Sequence, residues 1–246
     1  SLLLCDVGST VRLGERIVRA VDRHAAGRVP VTAKMRLGWD PEHVVAPALA
    51  RALEDVGIAA VTVHGRYTVQ FFSGEADWDR IGEVVAAVRS IPVIGNGDIS
   101  TPEQVPARMR QSGCSGVMIG RAALRTPWIF HRAAALLTVG EAAPEPSLNA
   151  KLRTIARHVD LVGRYQTERH AVQSMQRRIA WYGKTLGHMH ELKEAIRLAP
   201  SLGSMLETLA AWQREEFDHV SSAVRSPRPQ SGNLSSDQQA SSVLFD

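Results

Sequence analysis

The sequence predicts an α/β fold in which four parallel strands alternate with helices and an all-helical segment follows. Three observations predict it. The apolar, β-branched runs Val29–Met35, Ala59–His64, Ile91–Gly95 and Ser115–Gly120 have the length and composition of strands buried on both faces. Helical patterns separate these runs at roughly the thirty-residue step of βαβ units. Beyond Gly140–Ser147, where Pro144 and Pro146 mark a linker, apolar residues recur at helical spacing, as at Leu152, Ile155, Ala156 and Val159.

Each element has its own local reason. A helical pattern from about Val11 leads into the first strand. Asp40-Pro41 reads as an N-cap followed by proline at the first helical position, with Gly57 as the stop. Asp77 caps a helix running through Ile81, Val84, Val85 and Val88, and Thr101-Pro102 opens another that ends before Gly113. Gly163, Gly183, Gly187 and Pro200 divide the stretch from Leu148 to about Val220 into helices of an antiparallel bundle. The tail from Ser221, rich in Ser, Gln, Pro and Gly, is expected to be disordered. Four β/α units cannot close a barrel, and an open sheet leaves bare edges and one poorly covered face. The expectation is therefore the C-terminal half of a (β/α)8 TIM barrel over residues 1–143, four strands retained. A helical bundle over 144–220 and the tail over 221–246 complete the division.

Bulk properties narrow the function only modestly. The 246 residues are 44% hydrophobic and 22% charged, with no apolar run long enough to span a bilayer and no basic n-region of a signal peptide. The net charge of +4 and sequence pI near 9.4 suit an RNA partner without requiring one. Cys5 and Cys114 are the only cysteines and form no Cys-x-x-Cys pair, so no metal site and no disulfide framework is expected. A monomer in a reducing cytoplasm is the default.

In parallel barrels the active site is built at the C-terminal ends of the strands. Those ends read Lys34-Met35-Arg36, His64-Gly65-Arg66, Asn96-Gly97-Asp98 and Gly120-Arg121. One polar strand end means little; four in succession converge on one mouth. Gly97 and Gly120 let backbone amides approach an anion, and Arg121 adds a planar donor fork, which together suit a phosphate. Asn96-Gly97-Asp98 taken alone is also a good turn. Lys34 could set an ammonium where a reduced cofactor develops negative charge, or simply end a strand. His64 could bind phosphate or a ring edge, or serve as a hydrogen-bonded structural histidine.

The runs Val31–Trp39, Val61–Arg66, Pro92–Ile99 and Val117–Ala123, the last continued by Pro127-Trp128-Ile129-Phe130, resemble the tRNA-dihydrouridine synthases. The Gly-Trp-x-Pro-Glu-His form at Gly38–His43 is nearest the bacterial B-type enzymes, and Arg177-Arg178-Ile179-Ala180-Trp181-Tyr182 resembles the basic-aromatic segment of their helical domain. The resemblance covers about residues 1–215. It implies an FMN-binding barrel joined to a helical domain that helps hold tRNA. Lys34 and His64 would contact the flavin, while Asn96, Gly97, Asp98, Gly120 and Arg121 would hold its ribityl phosphate end. NADPH would reduce FMN, and hydride would pass to C6 of a D-loop uracil drawn out of its stack.

The family's proton donor to C5 is a cysteine in an Asn-x-Gly-Cys-Pro motif, which does not occur in this sequence. Ser1-Leu2-Leu3-Leu4 resembles the segment just downstream of that motif, so the donor is expected upstream of Ser1 and no catalytic residue is assigned here. Cys5 and Cys114 are read as ordinary thiols. In the helical part Arg153, Arg157, Arg164, Arg169, Arg177, Arg178 and Lys184 are candidates for RNA phosphates, each equally readable as a solvated cation. Tyr165, Trp181 and Tyr182 are expected in the core. Open alternatives are a non-catalytic tRNA-binding remnant, another FMN-dependent barrel oxidoreductase acting on a small molecule, and an interrupted reading frame that does not fold.

Overall fold

A computed structural model describes residues 2–25, 27–187 and 189–225. After a 3-10 turn at Leu2–Cys5 come α1 (Val7–Ala25), β1 (Thr32–Arg36), α2 (Ala46–Asp55), β2 (Ala60–His64) and α3 (Trp78–Ala87). β3 (Val93–Asn96), α4 (Gln104–Ser112), β4 (Gly116–Met118), α5 (Arg121–Arg125) and α6 (Ile129–Val139) follow. The remainder is helical: α7 (Leu148–Tyr165), α8 (Glu168–Tyr182), α9 (His190–Leu198) and α10 (Leu202–Arg225).

The strands form one parallel sheet in sequence order, β1-β2-β3-β4. Its register aligns Arg36, His64, Asn96 and Met118 in one row and Lys34, Thr62, Ile94 and Gly116 in the next. Because successive side chains alternate between faces, both rows stand on the same face. Met35, Val61, Val63 and Val93 turn the other way and pack with Leu49 and Leu53 of α2 and Trp78, Ile81 and Val84 of α3. One face is thus sealed by helices, and the other carries the polar row.

Three local features fix that arrangement. Asp77 accepts a hydrogen bond from the Arg80 amide at 2.9 Å, capping α3 as its sequence predicts. Trp78 at the start of α3 is 1% exposed, and a Cβ on Gly95 would overlap its ring, so β3 needs glycine there to lie close to α3. Glu54 of α2 accepts hydrogen bonds from the amides of Arg89, Ser90 and Ile91, tying α2 to the turn before β3.

A second core joins Leu152, Ile155 and Val159 of α7 to Met175 and Ile179 of α8, Leu192 and Ile196 of α9, and Met205 and Leu209 of α10. Glu145 sits in the connection between the two halves. It accepts from the Trp128 indole at 3.0 Å and pairs with Arg132 at 2.8 Å and Lys151 at 3.0 Å.

The structure departs from the sequence reading at several points. Asp40 does not cap α2: its carboxylate accepts from the amides of Glu42 and His43 and closes a turn, and α2 starts at Ala46 with Pro47 in its first turn. α1 starts at Val7 rather than near Val11, its end secured by Asp6 accepting from the Ser9 amide at 2.8 Å. Gly163 does not break a helix but lies within α7, where a Cβ would press on Leu202 of α10. Tyr165 is 84% exposed and Trp181 is 40% exposed, whereas Tyr182 is buried as expected. α10 passes Ser221 to reach Arg225, and the rest of the predicted tail lies outside the described residues. Among the described residues no helix is long and apolar enough to cross a membrane.

Candidate functional site

The C-terminal ends of β2, β3 and β4 open into a cleft of about 560 Å³. His64, Asn96, Gly97, Asp98, Gly120 and Arg121, picked out from sequence as strand-end residues, all line it. Lys34 does not. It lies one row deeper and lines a separate, largely apolar groove of about 570 Å³ between β1, α1 and α2, with Leu13 and Ile17. Burial, and then the neighbouring Arg36, lower the Lys34 pKa below the usual lysine range.

Asp98 organises the polar end of the cleft. It adopts φ 52, a left-handed conformation that Asp tolerates better than most residues. Its carboxylate receives the Arg66 guanidinium at 2.9 and 2.8 Å, the Ala76 amide at 2.8 Å and Arg121 at 3.2 Å. Burial alone would raise the Asp98 pKa, but the hydrogen bonds from Arg66 and Ala76 and the charges of Arg66 and Arg121 outweigh it and lower it. Arg66 is 2% exposed and also donates to the carbonyls of Ser73 and Gly74. It is a buried strut for the loop after β2 rather than a group facing solvent.

His64 is 8% exposed, and its pKa is lowered to about 4 by burial first, then by Arg36, Lys34 and Arg66. At neutral pH it is an uncharged imidazole with one donor and one acceptor. Asn96 donates its amide to the Met118 carbonyl at 2.8 Å and holds β3 to β4 at the mouth. Gly97 has φ 143, and a Cβ there would overlap Ala76, so only glycine fits. Gly120 differs: a Cβ there would meet nothing within 4 Å, which leaves open space beside its backbone.

The cleft also holds residues that the strand-end reading did not select. Phe72, 63% exposed, has the Arg121 guanidinium 5.2 Å and that of Arg36 5.9 Å from its ring centre. Arg125 of α5 and Trp181 of α8 complete the wall, so the helical region contributes to this site. Trp181 had a legible signal: Met175, Ile179 and Tyr182 form the inward stripe of α8, and Trp181 lies off it. Phe72 had none, since a loop aromatic carries no periodicity.

Neither cysteine lines the cleft. Cys114 is buried and donates to the Gly116 carbonyl at 3.1 Å; Cys5 is exposed on the turn before α1. Among the described residues no group of three His, Cys, Asp or Glu is placed to hold a metal ion. On the helical region Arg153, Arg157, Arg169, Arg177 and Lys184 are exposed and Arg178 is half-buried, while Arg164 pairs with Asp160 at 2.7 Å.

Fold and site together define an α/β protein with a strand-end cleft suited to an anionic ligand and a helical region forming part of its wall. The dihydrouridine synthase (Dus) family profile matches residues 8–216. A probable tRNA-dihydrouridine synthase of Rickettsia bellii is 38% identical over 198 residues, 80% of this chain and 59% of the relative. tRNA-dihydrouridine synthase B of Xanthomonas campestris pv. campestris is 36% identical over 227 residues, 92% of this chain and 65% of the relative. A probable tRNA-dihydrouridine synthase of Mycobacterium leprae is 37% identical, the match covering 79% of this chain and 51% of the relative. The chain belongs to the dihydrouridine synthase family and spans between 51% and 65% of the length of these three relatives.

Proposed function

We propose that this chain supplies the flavin cleft and part of the RNA-holding surface of a tRNA-dihydrouridine synthase, reducing the C5–C6 bond of D-loop uridines with NADPH as reductant. The observation that carries this reading is the convergence of His64, Asn96, Gly97, Asp98, Gly120 and Arg121 on one cleft in a chain of this family. The four-stranded sheet is then an arc of a (β/α)8 barrel whose polar face is the barrel interior.

The residues present fit FMN. Gly97 is required by its backbone, the space beside Gly120 is open, and among the described residues two guanidiniums, Arg121 and Arg125, line the cleft with one carboxylate, Asp98. Asn96, Gly97, Asp98, Gly120 and Arg121 would hold the ribityl phosphate end, and His64 would meet the ring system as a neutral partner. Lys34, one row deeper on the same face, would serve the ring from the side of β1. Bound flavin would supply the hydride for C6 of the uracil. Arg66 and Asp98 keep the loop after β2 in place, and exposed Arg157, Arg169, Arg177 and Lys184 would meet RNA phosphates. The proton for C5 needs a donor at the cleft, and neither Cys5 nor Cys114 stands there. The assignment of the donor therefore leaves out these two thiols.

The test is direct. The purified chain should bind FMN and retain affinity for tRNA, yet form little or no dihydrouridine when given NADPH and unmodified tRNA. Efficient uridine reduction by the 246-residue chain would overturn the assignment of the donor and return Cys5 to consideration. Binding of tRNA without FMN would favour a non-catalytic RNA-binding role.

A further inference from the structure

The inward face of α1 is marked by Gly14 and Val18: a Cβ on Gly14 would stand 3.0 Å from Leu53 of α2, and one on Gly57 would stand 3.1 Å from Val18. Arg12, Arg16, Arg19 and Arg23 follow one another at steps of four, three and four residues. They therefore form one line along the outer side of the helix, and all four are exposed. Arg12 donates to the Ser9 hydroxyl at 2.6 Å, and Arg19 pairs with Glu15 at 2.5 Å. Arg16 and Arg23 have no hydrogen-bond or ion-pair partner among the described residues. Like charges three or four residues apart weaken a helix, and a surface that only has to stay wet does so with mixed signs. The line therefore costs helix stability unless an anion meets it.

Its shape and place indicate which anion. Neighbouring arginines on one helix side are about 5–6 Å apart at Cβ, close to the step between successive phosphates of a nucleic-acid strand, and each guanidinium presents a fork that fits phosphate oxygens. The first turns of α1 stand at the C-terminal end of β1, where Thr10 and Leu13 share a groove with Lys34 and Arg36. The line thus begins at the end of the sheet where the cleft opens and runs away from it along the β1 edge. The helical region meets the cleft from the other edge, where Trp181 stands with Met118 and Arg121. We infer that the arginine line of α1 is a second contact for the phosphodiester backbone of RNA, on the far side of the cleft from the arginines of α7 and α8. This rests on the tRNA reading above and deepens it: the substrate is held on both sides of the mouth that receives its base.

Titrations of unmodified tRNA onto the whole chain at several salt concentrations test this. Arg16→Gln/Arg23→Gln should weaken binding about tenfold at low salt and lower the salt slope by about two, one for each lost phosphate contact. Arg16→Lys/Arg23→Lys keeps the charge and should recover most of the affinity. Arg89→Gln/Arg110→Gln removes the same charge from two exposed arginines off the line and should leave binding nearly unchanged. Equal losses in the two glutamine pairs reduce the effect to net charge and overturn the inference, and so does a loss in neither. A lysine pair as weak as the glutamine pair traces the effect to helix structure and overturns it too. Binding of the chain to phosphatidylglycerol vesicles, lost only in Arg16→Gln/Arg23→Gln while tRNA affinity is kept, overturns it by assigning the line to a lipid surface. If Arg169→Gln/Arg177→Gln weakens tRNA and the α1 pair does not, the tRNA reading stands and this inference alone falls. A wild-type chain with no affinity for tRNA removes both.

Discussion

Asp98 shows how much of the site rests on single side chains. Removing its carboxylate leaves Arg66 buried and uncompensated, because the remaining partners of Arg66 are the carbonyls of Ser73 and Gly74. Asp98→Ala should therefore destabilise the protein by about 3 kcal/mol, the range for breaking a buried ion pair from one side, as read from urea unfolding. Asp98→Asn keeps an acceptor and tolerates the positive φ, and should cost clearly less; equal costs would mean that the charge is irrelevant. His64 yields a prediction in pH. Its folded-state pKa of about 4 lies below its ordinary 6.5, so the unfolded chain takes up the proton first as pH falls. Its contribution to stability is complete above about 6.5, is lost progressively down to about 4, and then levels off. His64→Gln should flatten that part of the stability profile, and an unchanged slope between pH 6.5 and 4 would rule the histidine out as its source.

At the scale of elements, β3 and α3 are keyed together by one glycine. Gly95→Ala forces a methyl into the Trp78 ring and should cost about 1–3 kcal/mol. Trp78→Phe in the same chain should relieve part of that cost in a double-mutant cycle, and additive losses would place the strain elsewhere. Much of this level was legible in the sequence. The order of strands and helices, the Asp77 cap, the Gly113 stop and the clustering of strand-end residues all follow from short-range patterning and parallel topology. Asp40 closes a turn rather than capping α2, because an Asp-Pro pair serves a turn as readily as a cap and the amides of Glu42 and His43 are the ones within reach of its carboxylate. Tyr165 and Trp181, expected in the core from their helical setting, are exposed because they lie off the inward stripes of α7 and α8. Lys34 and His64 look alike as strand-end residues, but the register puts Lys34 one row below the mouth, and register is set by pairing between strands.

For the whole molecule the question is how two cores, one under the sheet and one among α7–α10, come to share a cleft. Part of the linkage runs through a single carboxylate. Glu145 gathers the Trp128 indole, Arg132 and Lys151, and Lys151 in turn reaches the Thr185 carbonyl at 3.2 Å. Thr185 follows closely after Trp181, and its hydroxyl donates to Arg125. One carboxylate in the connecting segment thus holds cations and an indole from both sides of the join, two residues of which lead to the cleft wall. Glu145→Ala should leave each core packed, since its hydrogen-bond and ion-pair partners Trp128, Arg132 and Lys151 belong to neither core cluster, but loosen their connection. The expected result is little change in secondary structure, faster amide exchange and proteolysis across residues 140–147, and weaker FMN binding through a less well placed Trp181. Faster exchange with unchanged FMN affinity would show that the helical region closes the cleft without supporting the ligand. Uniform destabilisation of both cores would show instead that the two halves fold as one cooperative unit.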